Sequence, residues 1–396
     1  MVEAGSVKDL DEKSDLILVL NSGSSSLKFG VYFRRGNDNN GDDDEEPLLT
    51  GSAEGIGHSD GSLNIRSGDG TSLTQREHVH ESQVDALTDL SVAIREHIHG
   101  APVAVGHRIV HGGPGLRAHQ LITPSVLHEL RLATHFAPLH IPQALTLIAA
   151  AQSTFPSAAH FGCFDDAFHQ TIPEVASHLP IPKRYFDMGI RRYGFHGISY
   201  ESLVYHFGPQ LPERAIFAHL GNGSSLCALR NGVSIDTTMG LTPTGGIPMG
   251  TRSGDLDPGI LLYLLRNQKM GADELEDLLN HRSGLFSLSG GDGDVKTLEE
   301  KAGSNDAAAA LALDIFAISV RKMIGAYMAL LGGVDILVFT GGIGEHSSRI
   351  RSSATAGLEQ LGLTADKIQI VPTQEERQIA RHCRRMLKES SQQLRA

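Results

Sequence analysis

Two stretches of this 396-residue chain, about 200 residues apart, follow one plan. LILVLNSGSSSLKFGVY, from Leu16 to Tyr32, runs from an apolar segment through a Gly-Ser turn into a second segment that alternates like a strand. IFAHLGNGSSLCALRNG, from Ile216 to Gly232, repeats the pattern, with NSGSSSL and GNGSSL as counterparts. Each reads as a β-hairpin whose turn offers backbone N–H groups and hydroxyls to an anion, and the first adds the Lys28 ammonium. The Walker A spacing G-x-x-x-x-G-K-[ST] is absent and the residues after the first turn do not open a helix, which excludes a P-loop NTPase. A strand-turn-strand unit that recurs at this distance predicts a duplicated domain. A third segment, VDILVFTGGIGEHS, is an apolar strand running into Gly342 and Gly344, a dinucleotide fingerprint that lacks its third glycine. Together the three loops point to a nucleotide held by two related lobes.

The length suits two domains, each able to bury a full core. A net charge of -12 and a pI near 5.9 argue against a nucleic-acid partner, so an anionic ligand must meet a local positive cluster. Cys163, Cys227 and Cys383 are odd in number and widely spaced, which predicts neither a disulfide framework nor a zinc site. The polar start MVEAGSVKDLDEKSD does not read as a secretion signal, and no run of about 18 uncharged apolar residues occurs. A soluble, cytoplasmic protein without a membrane partner is expected. RRGNDNNGDDDEEP, from Arg34 to Pro47, reads as a solvated hairpin loop. VDALTDLSVAIREHI and IPQALTLIAAAQ have helical spacing around the strand-like VAVGHRIV, so the chain reads as α/β. The crossing between domains is expected within about residues 151–190. His107 and His111 have the i, i+4 spacing of a zinc pair, but on a strand that spacing covers about 13 Å, which disfavours shared metal binding.

NSGSSSLKF, VGHRIVHGG, APLH, FDDAFHQTIP, RRYGFHG, HLGNGSS, MGTRSGDLDPG and FTGGIGE follow one another between about Leu16 and Leu387. In order and approximate spacing they resemble the motifs of acetate kinases, members of the acetate and sugar kinase, heat-shock protein and actin superfamily. The resemblance implies an α/β fold of two duplicated ribonuclease-H-like (actin-like ATPase) domains with a cleft between them. It implies an N-terminal domain over 1–165, with the C-terminal helix, about 380–396, packing on it. A C-terminal nucleotide-binding and dimerisation domain would then cover 166–379. ATP/ADP as co-substrate, Mg²⁺ with Mn²⁺ as an alternative, acetate and acetyl phosphate as ligands, and a homodimer complete what it implies.

The resemblance also implies roles for particular residues. Arg108 in GHRIVHGG and Arg252 in GTRSGD would bind the carboxylate and stabilise the phosphoryl in flight, although an Arg252 paired with Asp255 or Asp257 is the structural alternative. His196 in YGFHG would stabilise the transition state; a lone His beside Phe is otherwise more often a satisfied core residue. Asp165 is implied as catalytic and, with Asn21 and Glu375, as oxygen ligands for Mg²⁺. His140 matches a further active-site histidine, followed by Ile141 where the family has Asn. Val110, Leu139, Phe195 and Pro243 match the pocket for the acid's methyl group, so a small aliphatic acid should fit. Nucleotide contacts are implied for Ser24, Ser26, Lys28, His219, Asn222, Gly223, Asp294, Lys296, Gly342 and Gly344. The chain departs from the family at Asp166 (Thr), Ile198 (Thr), Tyr200 (His), Gly245 (Glu), Lys296 (Arg) and His346 (Asn).

Phosphoryl transfer to a carboxylate needs little proton chemistry, because an acid with pKa near 4 to 5 is already ionised at neutral pH. It needs cancellation of charge, since an anion must approach an anionic γ-phosphate. The expected activity is therefore reversible, Mg²⁺-dependent transfer from ATP to acetate. A propionate or butyrate kinase is the nearest alternative. A non-kinase actin- or heat-shock-type ATPase would have no use for the paired arginines. Near the C-terminus, Thr373 reads as the N-cap of a helix with Glu376 closing a capping box, leaving Glu375 for the metal.

Overall fold

The computed structural model describes residues 16–23, 25–33, 46–98 and 100–393, which divide into two compact units. The first comprises residues 1–167 and 375–396, the second residues 168–374. The acidic stretch read as a solvated loop falls, at 34–45, outside the described residues.

The first unit is built on an eight-stranded sheet. Its strands are β1 (Leu16–Ser22), β2 (Ser26–Phe33), β3 (Leu49–Glu54), β4 (Ser62–Ser67), β5 (Ser72–Glu77), β6 (Pro102–Ile109), β7 (Gln120–Leu121) and β8 (Ala159–Phe164), in the order β5-β4-β3-β2-β1-β6-β8-β7. β1 pairs antiparallel with β2, Leu20 opposite Phe29, and parallel with β6, Val19 beside Gly106. Because β1 is central and covered on both faces, LILVL is apolar throughout instead of alternating. Leu16, Leu18 and Leu20 join a core with Leu87, Leu90 and Ile94 of α1 (Gln83–His97) and Leu147 and Ala151 of α2 (Ile141–Thr154). α1 starts with a capping box between Ser82 and Asp85. On the opposite face, a Cβ at Gly106 would stand 2.5 Å from Ile379 and 2.7 Å from Cys383, so glycine lets the C-terminal helix lie close to the sheet.

The second unit carries a five-stranded sheet of β9 (Arg214–Leu220), β10 (Ser224–Arg230), β11 (Val233–Thr237), β12 (Ile336–Thr340) and β13 (Ile368–Ile370). The order β11-β10-β9-β12-β13 repeats the central β3-β2-β1-β6-β8 of the first sheet: an antiparallel meander, then two parallel additions. The repeat read from the two hairpins is therefore a repeat of topology. One face buries Phe316, Val320, Ile324 and Tyr327 of the long helix Ala307–Leu331 against Ile216, Leu226 and Phe339. The other buries Tyr200 and Leu203 of α3 (Gly197–Phe207) against Phe217, Cys227 and Val338. Each face thus removes several large side chains from water, about 1.5–3 kcal/mol apiece. All three cysteines are buried, and no described helix is long and apolar enough to cross a membrane.

Candidate functional site

In the first unit, the end of β1, the end of β6, the residue after β8 and the start of the C-terminal helix converge on one charged cluster. Arg108 donates through Nε and Nη2 to Asp165 Oδ2 at 2.9 and 2.6 Å, and through Nη1 to Asn21 Oδ1 at 3.1 Å. Asn21 turns its amide to Glu375 Oε2 at 2.9 Å and Glu376 Oε1 at 2.7 Å. Burial works against the charge of Arg108, but Asp165, Glu375 and Glu376 outweigh it and hold the guanidinium protonated. Burial pushes the Asp165 carboxyl up; Arg108 pulls it down, while Glu375 and Asp166 add to the rise. Three carboxylates thus share one arginine, and the buried Asp165 Oδ1 has no hydrogen-bond partner. An oxygen-rich cluster with an orphan carboxylate oxygen has the donor set of a hard cation, so these residues fit Mg²⁺.

Asp166 puts Oδ2 on the Gly112 amide at 3.2 Å, so this additional carboxylate braces the loop after β6. His107 does not face His111. Its Nε2 meets His160 Nδ1 at 3.0 Å, and His160 Nε2 meets the Phe155 carbonyl at 3.3 Å. Val110 and His140 are half-buried and Leu139 is exposed. Ile141, in place of the family's Asn, is a buried core residue opening α2.

The helix of Glu375 differs from expectation. It spans Glu375–Gln393 and begins after the segment holding Thr373 has been committed elsewhere. The Thr373 amide donates to Glu345 Oε1 at 3.1 Å and its hydroxyl meets Ser199 Oγ at 3.0 Å. The T-x-x-E capping box does not form, and Glu376 faces Asn21 beside Glu375. Sequence reasoning followed the local cap signal; a tertiary carboxylate, Glu345, outcompeted it.

In the second unit His196 sits at the start of α3 in the left-handed region, φ 60°, a cost for a residue with a Cβ. Its ring is stacked on His219 at 4.2 Å, and Nδ1 meets Ser225 Oγ at 2.9 Å. His169 holds the preceding turn through the Phe195 carbonyl at 3.0 Å and Ser234 Oγ at 2.9 Å. Ser225 Oγ also lies 2.5 Å from the Tyr200 hydroxyl. The Tyr200 hydroxyl, Ser225 Oγ and His196 Nδ1 thus form one continuous hydrogen-bonded chain behind the imidazole ring. Burial raises Tyr200 and keeps it protonated as the head of this relay. Tyr200 and Ile198, both fully buried, thus have packing and hydrogen-bond reasons for departing from the family residues. His219 Nδ1 meets Ser199 Oγ at 2.8 Å.

Gly223 closes the second turn where a Cβ would stand 3.2 Å from His196 Nε2 and 3.4 Å from Arg252 Nη1. The turn thus brings His196, Arg252 and a small backbone cradle together. Arg252 donates to the Pro243 carbonyl at 3.1 Å. Asp255 and Asp257, offered above as its structural partners, accept from the amides of Gly246 (2.8 Å) and Gly259 (2.9 Å). A Cβ at Gly245 would lie 3.1 Å from Asp255 Oδ1, so glycine leaves Asp255 room for that bond. Gly341, φ 77°, carries β12 under the Leu220 carbonyl, and its amide donates to Glu345 at 2.9 Å. Gly342 is exposed, Gly344 is buried, and His346 Nδ1 returns to the Gly342 carbonyl at 3.0 Å. Asn222 is exposed, Phe195 and Pro243 are buried. Asp294 caps the helix Val295–Gly303 through Thr297, with Lys296 exposed beside it. In the first turn Gly23 donates to the Ser26 carbonyl at 2.8 Å, Lys28 is exposed opposite Asn21, and Ser24 lies outside the described residues. Tyr200, Ser225, Gln83 and Glu345 were missed by sequence reasoning, because each acts through a partner remote in the chain.

Two sheets of this order, each with a glycine-bearing turn at its central hairpin, define a duplicated ribonuclease-H-like phosphotransferase. The Acetokinase family matches residues 16–386. The acetate kinase of Methylocella silvestris is 38% identical over 397 residues, covering 93% of this chain and 97% of that protein. Among solved structures, Porphyromonas gingivalis acetate kinase superposes with a TM-score of 0.81 at 32% identity. A propionate kinase from Francisella tularensis does so with 0.83 at 33%; each covers 94% of this chain and 100% of its own. The chain belongs to the acetokinase family.

Proposed function

We propose that the chain is an acetate kinase, transferring the γ-phosphoryl of ATP to acetate to give acetyl phosphate and ADP, reversibly and with Mg²⁺. The observation that carries the reading is the buried Arg108 cluster with its orphan Asp165 oxygen, one fixed cation shared by more carboxylates than its single charge can neutralise. Asn21, Asp165 and Glu375 would hold Mg²⁺; Glu376, from the same Asn21, shares that duty. Bound there, the metal supplies positive charge to phosphoryl oxygens. Arg108 attracts the acid's carboxylate, already ionised at neutral pH, so no residue has to remove a proton. Arg252 offers a second fixed cation. His196, held through Ser225 and Tyr200, offers Nε2 to the phosphoryl as charge develops. Ser24, Ser26 and Lys28 in the first turn, His219, Asn222 and Gly223 in the second, and Asp294, Lys296, Gly342 and Gly344 serve the nucleotide. His140 serves the acid, whose size is set by Val110, Leu139, Phe195 and Pro243. The reading keeps an N-terminal domain over 1–165 with the helix of about 380–396, a C-terminal domain over 166–379, and a cytoplasmic location.

Hydroxamate trapping of acyl phosphate across acids tests the reading. One methylene in an apolar pocket is worth about 1–3 kcal/mol, so acetate should exceed propionate in kcat/KM by about 10- to 200-fold. Butyrate turnover equal to that of acetate would overturn it. A homodimer formed by the second unit is supported by the helix Pro258–Asn267, which leaves Ile260, Leu262, Tyr263 and Leu265 exposed. Leu262→Glu should shift the sedimenting species from dimer to monomer; a wild-type monomer would refute it.

A further inference from the structure

The joint between β5 and α1 carries three metal-capable side chains that the reaction does not use. His78 and His80, two residues apart in EHVHES, bring their rings to 4.6 Å, and Asp89 reaches them from α1. His78 Nε2 lies 3.1 Å and His80 Nε2 3.4 Å from Asp89 Oδ2, and the three ligand atoms lie within 4.8 Å of one another. Ligands about 2.0–2.1 Å from a tetrahedral zinc ion are separated by about 3.3 Å, so these atoms already stand near coordination spacing. The second, independent observation is His80 itself: it is 1% exposed, its Nδ1 has no hydrogen-bond partner, and its Nε2 has only the long 3.4 Å approach to Asp89. Native interiors seldom leave such a group unsatisfied, and a missing ion is a recognised reason when they do. Arg76, 3.0 Å from the same Asp89 oxygen, competes for it, but its side chain is half-exposed and free to withdraw. Asp85, one turn earlier, is occupied by the Ser82 cap.

We propose that His78 Nε2, His80 Nε2 and an Asp89 oxygen form a three-ligand site for a divalent transition metal of the zinc class, with solvent completing the tetrahedron. Imidazole-carboxylate sets of this kind favour such ions over Mg²⁺. The ion locks the β5–α1 joint, and the joint steadies the first glycine-serine turn. Gln83, the first residue of α1, accepts from Ser22 Oγ and donates to the Gly23 carbonyl, both at 2.7 Å. His80 accepts from Gly57, and the neighbouring Ile56 donates to the Ser25 carbonyl, both at 2.9 Å.

The test is titration of the full chain, stripped of trace metals and held in saturating Mg²⁺, with Zn²⁺ by calorimetry and Co²⁺ by visible absorption. The wild type should bind one ion per chain, show tetrahedral Co²⁺ bands and unfold at higher temperature with Zn²⁺. His78→Gln, His80→Gln and Asp89→Asn should each weaken binding at least about 10-fold, and Arg76→Ala should tighten it, while acetyl phosphate formation without Zn²⁺ stays unchanged. Should His80→Gln misfold, the half-exposed His78 decides. Absence of saturable Zn²⁺ binding by the wild type, or binding that survives both His78→Gln and Asp89→Asn, overturns the proposal.

Discussion

The hairpins β1–β2 and β9–β10 share one backbone plan and serve opposite electrostatics. In each, three residues link the strands, Gly23-Ser24-Ser25 in one and Gly221-Asn222-Gly223 in the other. The first carries Asn21, which ties an arginine to Glu375 and Glu376 while Asp165 holds that arginine directly. The second carries His219 and Ser225, which meet neutral hydroxyls and a stacked imidazole. Duplication supplied the scaffold twice, and the side chains at the turns divided the work: one unit concentrates charge, the other chains hydroxyls to imidazoles.

Arginine removal should expose that division most strongly. Arg108→Ala and Arg252→Ala should each lose at least about 10² in kcat, since each removes charge aimed at the transferring group. Only Arg108→Ala should also lose about 3 kcal/mol or more of stability, because it strands the buried Asp165 carboxylate. Denaturant unfolding alongside kcat checks the contrast; equal stability losses would erase it. A smaller effect belongs to the relay. His196→Gln should lose about 10² in kcat, Ser225→Ala about 10-fold and Tyr200→Phe less, with KM for acetate nearly constant. A Ser225→Ala enzyme with wild-type kcat would show that the His196 ring needs no support from the relay.

The smallest effect is one of pH and belongs to the first unit. Burial, then His160, pushes His107 down to about 3, and burial lowers His160 too. A base whose pKa is depressed on folding stabilises the protein fully above its unfolded value near 6.5, and this is lost as pH falls from there toward 3. Each such proton steepens the loss by about 1.4 kcal/mol per pH unit. His107→Gln should flatten the stability-pH curve between about pH 6.5 and 4; an unchanged slope would contradict the buried neutral pair.

The hairpins, the duplicated α/β plan and the order of the motifs were legible because period-2 alternation and glycine turns are local signals. Arg108, Asp165 and Glu375 could be named from motifs, and their convergence then followed from the parallel β1–β6–β8 register. Tyr200 and Ile198 could be seen only as departures, since the Ser225 hydroxyl and the core that explain them lie far along the chain. The failed cap at Thr373 has the same origin: Glu345, 28 residues away, takes the amide that a local rule gives to Glu376.

The division of labour is tested most directly by the Mg²⁺ dependence of kcat for Asp165→Asn and Glu375→Gln against Ser225→Ala and His196→Gln. The first pair should need at least about 10-fold more Mg²⁺ for half-maximal rate. The second pair should lose rate at every Mg²⁺ concentration with the midpoint unmoved. A midpoint shifted by His196→Gln as far as by Glu375→Gln, or left in place by Asp165→Asn, would contradict the account.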